Sequence, residues 1–443
     1  MMQSRQWMTL LMVLLCSCAK SASAQSTVDS VGVLPIDLPT TLKLAGANNI
    51  EILSAEQKVE AAHAQSLSAN EKYLPTFTPG IFYLQHNNRL QSTTGDFLYV
   101  NKHSIFGGVK GEFSWELRDA IFQSLAAHQR ANASEFAYEA TTNDILLQAV
   151  NQYYDLLQTK QAENVAKESA NLFQELKQEI EHKVNVELGS PSDLFLVRAE
   201  QAHATYTLEQ AKEQSILASL RLASTLRLDP TVVLVPADSQ LVEVTIIPKE
   251  TSAKSSIEKA IAQRPELLSH QSLLTAATNE KTAAIFGPLI PSVKATASSG
   301  GFGPEFGDLK NSNDIGLTLQ WSIGSGGLFD FGRGRFATAQ ERSLDLQIDK
   351  IRDQITVEVL SAYTQVRTKA HQMEASRQGL KDVQDAVKLA QERQQTGIGI
   401  ALEVVQALKS YYTVEKDYLE AVIGYNKAQY GLYRALGEQM LVH

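Results

Sequence analysis

The sequence is nearly free of cysteine. Its 443 residues include two, Cys16 and Cys18, both within the first 24 positions. The rest of the chain therefore has no thiols for a disulfide or a thiolate metal site. Its nine histidines are scattered, with no His-Glu-x-x-His motif and no cluster at ligand spacing. The sequence thus predicts no bound metal.

Motifs of enzyme active sites are missing as well. No Gly-x-Ser-x-Gly nucleophile elbow occurs. Residues 332–337 (Gly-Arg-Gly-Arg-Phe-Ala) match a loose dinucleotide fingerprint, but they lack the surrounding βαβ unit that binds a cofactor. A turn between a strand and a helix explains these glycines better. We therefore expect a protein that is not an enzyme and that binds no cofactor.

Basic residues are too few for a nucleic-acid-binding surface. The chain has 40 Lys and Arg against 49 Asp and Glu, which gives a net charge of −9. The first 24 residues contain two basic residues, Arg5 and Lys20, and no acidic one, so their removal changes the net charge from −9 to −11. Binding to a phosphate backbone needs a basic face. No nucleic-acid partner is expected.

Long hydrophobic runs are absent after the N-terminus. The apolar run Met8–Leu15 is followed by the small-x-small tripeptide 22–24 (Ala-Ser-Ala), and it is far shorter than the ~20 residues of a membrane-spanning helix. Residues 1–24 are therefore interpreted as the signal peptide of an exported protein. Residues 15–18 (Leu-Cys-Ser-Cys) also resemble a bacterial lipobox with Cys18 as the acylated residue, so both interpretations stay open.

Two long stretches lack the residues that end helices. Residues 119–188 contain neither glycine nor proline, and residues 335–395 contain one glycine and no proline. At about 1.5 Å per residue, each stretch would form a helix of roughly 90–105 Å. Apolar residues step by four and three, as at Leu146, Val150 and Tyr153, which is typical of helices that wind around partners. The sequence predicts long helical hairpins, and hence a rod or a tube.

Shorter segments alternate between apolar and hydrophilic residues. The apolar positions include Phe113 and Trp115 in one segment and Leu317, Leu319 and Trp321 in another. Such alternation predicts half-buried strands. In a membrane barrel these residues would face lipid, whereas a sandwich or a sheet covering helices would give the same pattern. Membrane barrels begin at about eight strands, so a chain that supplies four would share its barrel with other copies.

The chain is interpreted as two similar halves, residues 25–228 and 256–438, separated by a linker at 229–255 and followed by a tail at 439–443. Each half is predicted to contain a helix, two strands, a very long helix, a glycine turn and a return helix, in that order. The predicted strands cover about 76–117 and 292–324, the long helices 119–188 and 335–395, and the return helices 192–228 and 400–437. The turn at Gly189 is paired with the turn at Gly397.

Several short motifs follow one another along these halves. They are Leu44-Ala45-Gly46-Ala47-Asn48-Asn49, Leu74-Pro75, Arg264-Pro265-Glu266-Leu267, Ile290-Pro291, Phe329-Asp330-Phe331-Gly332-Arg333, and the turns at Gly189 and Gly397. As an ordered set over about residues 38–438, they resemble the TolC-like family of outer-membrane efflux proteins. The resemblance implies a mixed α + β membrane protein, a homotrimer in which each chain gives four strands to one twelve-stranded outer-membrane β-barrel. The barrel would continue into a long periplasmic α-helical barrel of coiled-coil hairpins.

The resemblance also implies a function and partners. The trimer would be a passive duct in the outer membrane of a Gram-negative bacterium, with outer-membrane lipid around its strands and a large periplasmic portion. A periplasmic adaptor (a membrane fusion protein) and an inner-membrane transporter would deliver its substrates. A structural periplasmic coiled-coil scaffold without a channel is the alternative, because the helices alone fit both.

The hairpin ends are the predicted functional sites. Adaptor docking is assigned to Leu188, Gly189, Ser190, Thr396 and Gly397. A periplasmic gate is assigned to Glu403, Gln406 and Asp193, since the family places acidic residues at its closed entrance, and three copies of Glu403 around one axis would attract cations. In the alternative interpretations, Asp193 belongs to a helix cap begun by Ser190 and Pro191, Glu403 is a solvated heptad position, and the glycines only let the chain reverse.

Overall fold

The computed structural model describes residues 32–440 apart from 75, 116, 230, 239–240, 249–251 and 326, and it describes no side chain between residues 114 and 119. The predicted signal peptide, the alternative lipidation site at Cys18 and the proline of the Leu74-Pro75 motif lie outside the described residues.

Long helices make up most of the chain. In chain order they are α1 (Leu38–Asn48), α2 (Ile50–Glu71), α3 (Leu117–Asn185), α4 (Pro191–Leu226), α5 (Ala253–Gln263), α6 (Pro265–Phe286), α7 (Phe331–Gln395) and α8 (Ala401–Ala435). With 69 and 65 residues, α3 and α7 are each roughly 100 Å long. Within the described part of the chain, no helix combines the length and the apolar character that crossing a bilayer requires.

The strands form two sheets. They are β1 (Val33–Ile36), β2 (Thr76–Gln91), β3 (Phe97–Trp115), β4 (Val233–Pro236), β5 (Ser292–Gly303) and β6 (Lys310–Gln320). A parallel pair joins β1 to β4. The other four strands form an antiparallel sheet in the order β2-β3-β5-β6. Because β6 ends at Gln320, Trp321 lies just beyond this sheet.

The first strand of the four-stranded sheet contains a proline. Pro79 lies opposite Val109 in the pairing of β2 with β3. A proline cannot donate a hydrogen bond to a neighbouring strand and is therefore confined mainly to edge strands. The position of β2 at the edge of the sheet satisfies this requirement.

The helices near the sheet stand side by side in the same order as the strands to which they connect. The helices α2 and α6 lead into β2 and β5, and β3 and β6 lead into α3 and α7. Near the sheet, α2, α3, α6 and α7 therefore stand side by side, with each helix against the next. Farther from the sheet the row is α4, α3, α8 and α7.

The middle of the helix row holds the largest apolar core. Its buried members come mainly from β1, α1, α3, α4, β4 and α8, and include Ile36, Ala45, Leu146, Val150, Tyr153, Leu156, Leu222, Leu226, Leu234 and Ile423. The residues that showed coiled-coil spacing in the sequence thus pack around the small parallel sheet. Tyr153 donates a hydrogen bond from its hydroxyl to Asp238 Oδ2 at 2.8 Å.

Two buried amides hold an extended part of the linker along α8. Asn426 accepts a hydrogen bond from the N–H of Val244 and donates one to the carbonyl of Val242, both at 2.9 Å. Gln429, which is 0% exposed, accepts from the N–H of Ile247 at 3.0 Å. These side chains replace the backbone partners that a neighbouring strand would supply.

Arg264 of the Arg-Pro-Glu-Leu motif is buried, with 3% of its surface exposed. Its guanidinium donates to Glu358 Oε2 (2.7 Å), Glu266 Oε2 (3.0 Å) and the carbonyl of Ala435 (3.2 Å). Arg434 contacts the same two glutamates. Although burial opposes ionisation of Glu266, Arg264 and Arg434 hold the pKa of this carboxyl below its usual value. The network ties the junction of α5 and α6 to α7 and α8.

Candidate functional site

The two hairpin tips have the same backbone path. The N–H of Leu188 donates to the carbonyl of Lys183 (2.9 Å), and the N–H of Ile398 donates to that of Arg393 (3.0 Å). Each bond joins a residue beyond the helix to a carbonyl of its last turn, which is a common way to end a helix. Leu188 therefore corresponds to Ile398.

The pairing of Gly189 with Gly397 is consequently wrong by two residues. Glu187 and Gly397 are the equivalent residues, and both have left-handed backbones with φ of 62° and 76°. Gly189 corresponds to Gly399, and at both positions a Cβ would lie 3.0–3.2 Å from the preceding helix. The first tip uses a glutamate where the second uses a glycine, which hid the correct alignment in the sequence.

Apolar side chains project from both tips. Leu188 is 82% exposed and Ile398 is 72% exposed. Thr396, another predicted docking residue, instead turns its hydroxyl back to the carbonyl of Glu392 at 3.0 Å. The sequence interpretation missed Ile398, although an isoleucine between two turn glycines was a usable signal.

Beneath the tips the two hairpins share one apolar cluster. Its buried members come from the ends of α3 and α7 and the starts of α4 and α8: Phe173, Leu176, Ile180, Leu194, Val197, Ala204, Ala390, Ala401, Val404, Val405 and Leu408. The cluster holds the two tips side by side as one surface.

The predicted gate residues alternate with members of this cluster along the starts of α4 and α8. Glu403 is in the first turn of α8, and its Oε2 accepts a hydrogen bond from Nε of Arg393 at 3.3 Å. Gln406 is exposed farther along the same helix, and Asp193 is in the first turn of α4. Within a single chain, then, the Glu403 carboxylate has a partner on α7 that the sequence did not indicate. Among the described residues, no group of three or more His, Cys, Asp or Glu could hold a metal ion.

The start of α4 differs from the expected cap. Ser190 is the N-cap residue and Pro191 follows as the first helical residue. The Ser190 side chain makes no capping hydrogen bond, because its hydroxyl lies 2.8 Å from that of Ser192. The capping box suggested for Asp193 thus lacks its serine contact.

The four-stranded sheet has one apolar and one polar face. Cross-strand rows place Phe113 beside Ala295 and Leu317, and Val293 beside Leu319. Leu317, Leu319 and Trp321 are exposed, whereas the side chain of Trp115 lies outside those described. The opposite face includes Lys110, Glu112, Lys294, Thr296, Ser298, Asp314 and Thr318.

Known proteins resemble this chain in sequence and in fold. Residues 256–438 match the family profile described as outer membrane efflux protein. The outer membrane efflux protein BepC of Brucella suis biovar 1 (strain 1330) is 23% identical over 338 residues, which cover 74% of this chain and 72% of BepC.

Two solved channels match nearly the whole chain. The CmeC outer membrane channel of Campylobacter jejuni is 18% identical, with a TM-score of 0.79 over 91% of this chain and 87% of CmeC. The open state of the MtrE outer membrane channel of Neisseria gonorrhoeae is 18% identical, with a TM-score of 0.78 over 96% of each chain. The family profile over residues 256–438 and the fold shared over nearly the whole chain relate this chain to the outer membrane efflux proteins, and its fold is that of the outer membrane channels CmeC and MtrE.

Proposed function

We propose that three copies of this chain form one passive duct across the outer membrane and the periplasm. A periplasmic adaptor and an inner-membrane transporter deliver substrates to it, and conduction involves no catalytic step. The observation that carries the proposal is the amphipathic four-stranded sheet, whose strands lead directly into helices of roughly 100 Å.

Unpaired edges support assembly from several copies. Within the described residues, β2 and β6 each have one neighbouring strand, and an exposed sheet edge is a template for pairing with another chain. In the alternating sheet, β6 of one copy is antiparallel to β2 of the next. Four strands fall short of the roughly eight that a membrane barrel needs, and three copies would supply twelve.

The outer helices of the row have exposed apolar side chains that fit the same assembly. They are Phe195, Tyr206 and Ile216 on α4, and Leu346, Val357 and Leu389 on α7. Large apolar side chains exposed on an edge helix favour association with a partner that covers them. In the trimer, α4 of one copy would pack against α7 of the next and close the helical barrel.

We also infer that the two halves of the chain are copies of one ancestral unit. The helices α1 and α5 both have 11 residues, and α2 and α6 both have 22. The two tips share the same hydrogen bonds. Three duplicated chains would give the tunnel six similar hairpins.

The tips, which include Leu188, Gly189, Ser190, Thr396 and Gly397, are the proposed adaptor-docking surface. Exposed Leu188 and Ile398 offer apolar contacts to a helical hairpin. Leu188→Asp should abolish export and leave the trimer intact. Thr413→Asp, a charge at an exposed site of α8 away from the tip, is the matched control, and export that survives in the Leu188 variant would exclude docking at this residue.

Glu403, with Gln406 and Asp193 nearby, is the proposed gate. Three Glu403 carboxylates around the axis would bind cations that block the current. Because Arg393 neutralises Glu403 within one chain, Arg393→Gln should strengthen block by millimolar divalent cations in a planar bilayer, and Glu403→Ala should remove it. Undiminished block in Glu403→Ala would place the constriction elsewhere.

Membrane fractionation followed by gel electrophoresis without boiling tests the proposal as a whole. We expect a heat-resistant trimer in the outer membrane. Replacing Leu319 on the apolar face by Arg should cost about 2–4 kcal/mol and reduce trimer formation, whereas Thr318→Arg on the polar face should not. A soluble periplasmic protein that tolerates both changes would support the coiled-coil scaffold instead.

A further inference from the structure

Three phenylalanines interrupt the polar face of the four-stranded sheet. Phe82 on β2 lies opposite Phe106 on β3, which lies opposite Phe302 on β5. The rings of Phe82 and Phe106 have centroids 6.2 Å apart. Phe106 is 8% exposed, whereas Phe82 is 38% and Phe302 is 51% exposed, so the row is packed at its centre and most exposed at the Phe302 end. We call these three residues the aromatic row.

A row of glycines lies directly beside the aromatic row. Gly80, Gly108 and Gly300 are opposite one another on the same face. A Cβ on Gly300 would lie 3.0 Å from the Phe106 ring, and a Cβ on Gly80 would lie 3.4 Å from the Phe82 ring. The rings therefore lie over backbone that has no side chains, which fixes them against the sheet.

Two lysines accompany the aromatic row. The Lys110 ammonium lies 4.1 Å from the centroid of the Phe82 ring and 5.1 Å from that of Phe106, within the range of a cation–π contact. Lys310 lies opposite Phe302. Among the described residues, neither lysine has a carboxylate within ion-pair distance.

The two carboxylates of this face have other partners. Glu112 pairs with Lys294, and Asp314 accepts a hydrogen bond from the Ser298 hydroxyl at 3.2 Å. Lys102 adds a further positive charge to the face. Four lysines against two carboxylates make this surface basic, in contrast to the acidic chain as a whole.

We propose that the aromatic row and its lysines bind, in the channel lumen, solutes that combine an aromatic ring with a negative charge. This inference rests on the trimer proposed above, in which three copies would place nine rings around the lumen. Rings offer offset-stacked and edge-to-face contacts, and Lys110 and Lys310 attract the anionic group. A site in a conducting pore must bind weakly enough to release its solute, and shallow contacts on an open sheet meet that condition.

Current block in planar bilayers tests this site. The full-length trimer is inserted into phosphatidylcholine bilayers, and single-channel current is recorded with 2-naphthalenesulfonate, methanesulfonate or trimethylphenylammonium in the bath. We expect block by naphthalenesulfonate at concentrations where the other two ions have little effect. The double variant Phe82→Leu/Phe302→Leu should need about 10-fold more naphthalenesulfonate for half-block, and Lys110→Gln should also weaken it.

Phe77→Leu is the matched control. Phe77 is an exposed phenylalanine of the same strand but belongs to the apolar face, so its replacement should leave block unchanged. If the double variant does not assemble, the single variant Phe302→Leu, which alters the exposed end of the row, should still weaken block.

The remaining possible outcomes of the block experiment would each refute a specific part of this inference. Unchanged block in the phenylalanine variants would remove the aromatic row as the site, and equal block by trimethylphenylammonium would remove its preference for anions. Normal wild-type conductance without block by naphthalenesulfonate would refute this inference alone. A wild-type protein that forms neither a heat-resistant trimer nor a pore would refute the proposed function and this inference with it.

Discussion

Replacing Arg264 by methionine should destabilise the junction between α5 and α6 without changing the shape of the channel. Methionine retains most of the buried apolar volume of the arginine stem. It removes the guanidinium that now bonds to Glu266, Glu358 and the carbonyl of Ala435. Helix α8 then loses the donor that satisfies its C-terminal carbonyl.

The expected loss of stability in Arg264→Met depends on which ion pairs of Glu266 and Glu358 remain. Removing one partner of a buried ion pair commonly costs about 3–5 kcal/mol, because a buried charge is left without compensation. Here Arg434 still contacts Glu266 at 2.7 Å and Glu358 at 3.0 Å. Both carboxylates are also partly exposed, 26% for Glu266 and 49% for Glu358. The charges left behind therefore stay partly solvated, and we expect about 1–3 kcal/mol, below that range. Arg264→Lys keeps the charge but cannot reproduce the planar fork, so it should fall between the wild type and Arg264→Met.

Thermal dissociation of the proposed trimer in detergent is the suitable assay. Such a protein unfolds irreversibly, so the half-life of the heat-resistant oligomer at a fixed temperature is the quantity to compare. Arg352→Met is the control, because Arg352 forms an exposed pair with Asp349 on its own helix, and such pairs contribute about 0–1 kcal/mol. Equal half-lives for the wild type and Arg264→Met would refute the reasoning. So would an equal loss in the Arg352 control.

Three further predictions address other parts of the chain. Burial, aided by the charge of Glu168, raises the pKa of Glu415 above its ordinary value. The folded state therefore keeps this proton to a higher pH than the unfolded state and loses stability as pH rises through the folded pKa, so Glu415→Gln should lengthen the half-life of the proposed trimer near pH 8 and have less effect near pH 5. Asn426→Ala should cost about 1–3 kcal/mol by leaving backbone groups of residues 242 and 244 unpaired, and limited proteolysis should then cleave the linker faster than α8. Gly108→Ala should prevent trimer formation, since its Cβ would lie 2.4 Å from the carbonyl oxygen of Ser299, whereas Gly107→Ala has no atom within 4 Å and should be neutral.

The long helices could be predicted from the sequence to within a few residues. Helix α3 begins at Leu117, two residues before the predicted stretch 119–188. It ends at Asn185, because Glu187 adopts a left-handed backbone. Non-glycine residues rarely do so, and no signal in the sequence predicts it. At the other long helix, Asp330 accepts a hydrogen bond from the N–H of Arg333. This cap starts α7 at Phe331, before the glycines that suggested a turn.

The aromatic row could not be predicted, because it depends on strand register. Phe82, Phe106 and Phe302 are far apart in the sequence and fall in segments whose alternation is weak. Pro79 obscured the pattern of β2, and neighbouring glycines obscured that of β5. Only the pairing of the strands brings the three rings into one row. In the same way, the contact of Arg393 with Glu403 follows from the packing of α7 against α8.

In the proposed trimer, closure of the barrel and closure of the tunnel are coupled by chain connectivity. Helix α7 is the next element after β6 in the chain, so pairing β6 with β2 of the next copy also brings α7 toward that copy. Far from the sheet, the row of helices in each copy ends in α7 on one side and in α4 on the other. Helix α7 of one copy would therefore meet α4 of the next, which has exposed Phe195 and Tyr206. The hydrogen bonds of the sheet therefore set the register in which the apolar helix faces meet. In that assembly, the two edges of the sheet that lack a neighbouring strand within the described residues would be completed by the other copies.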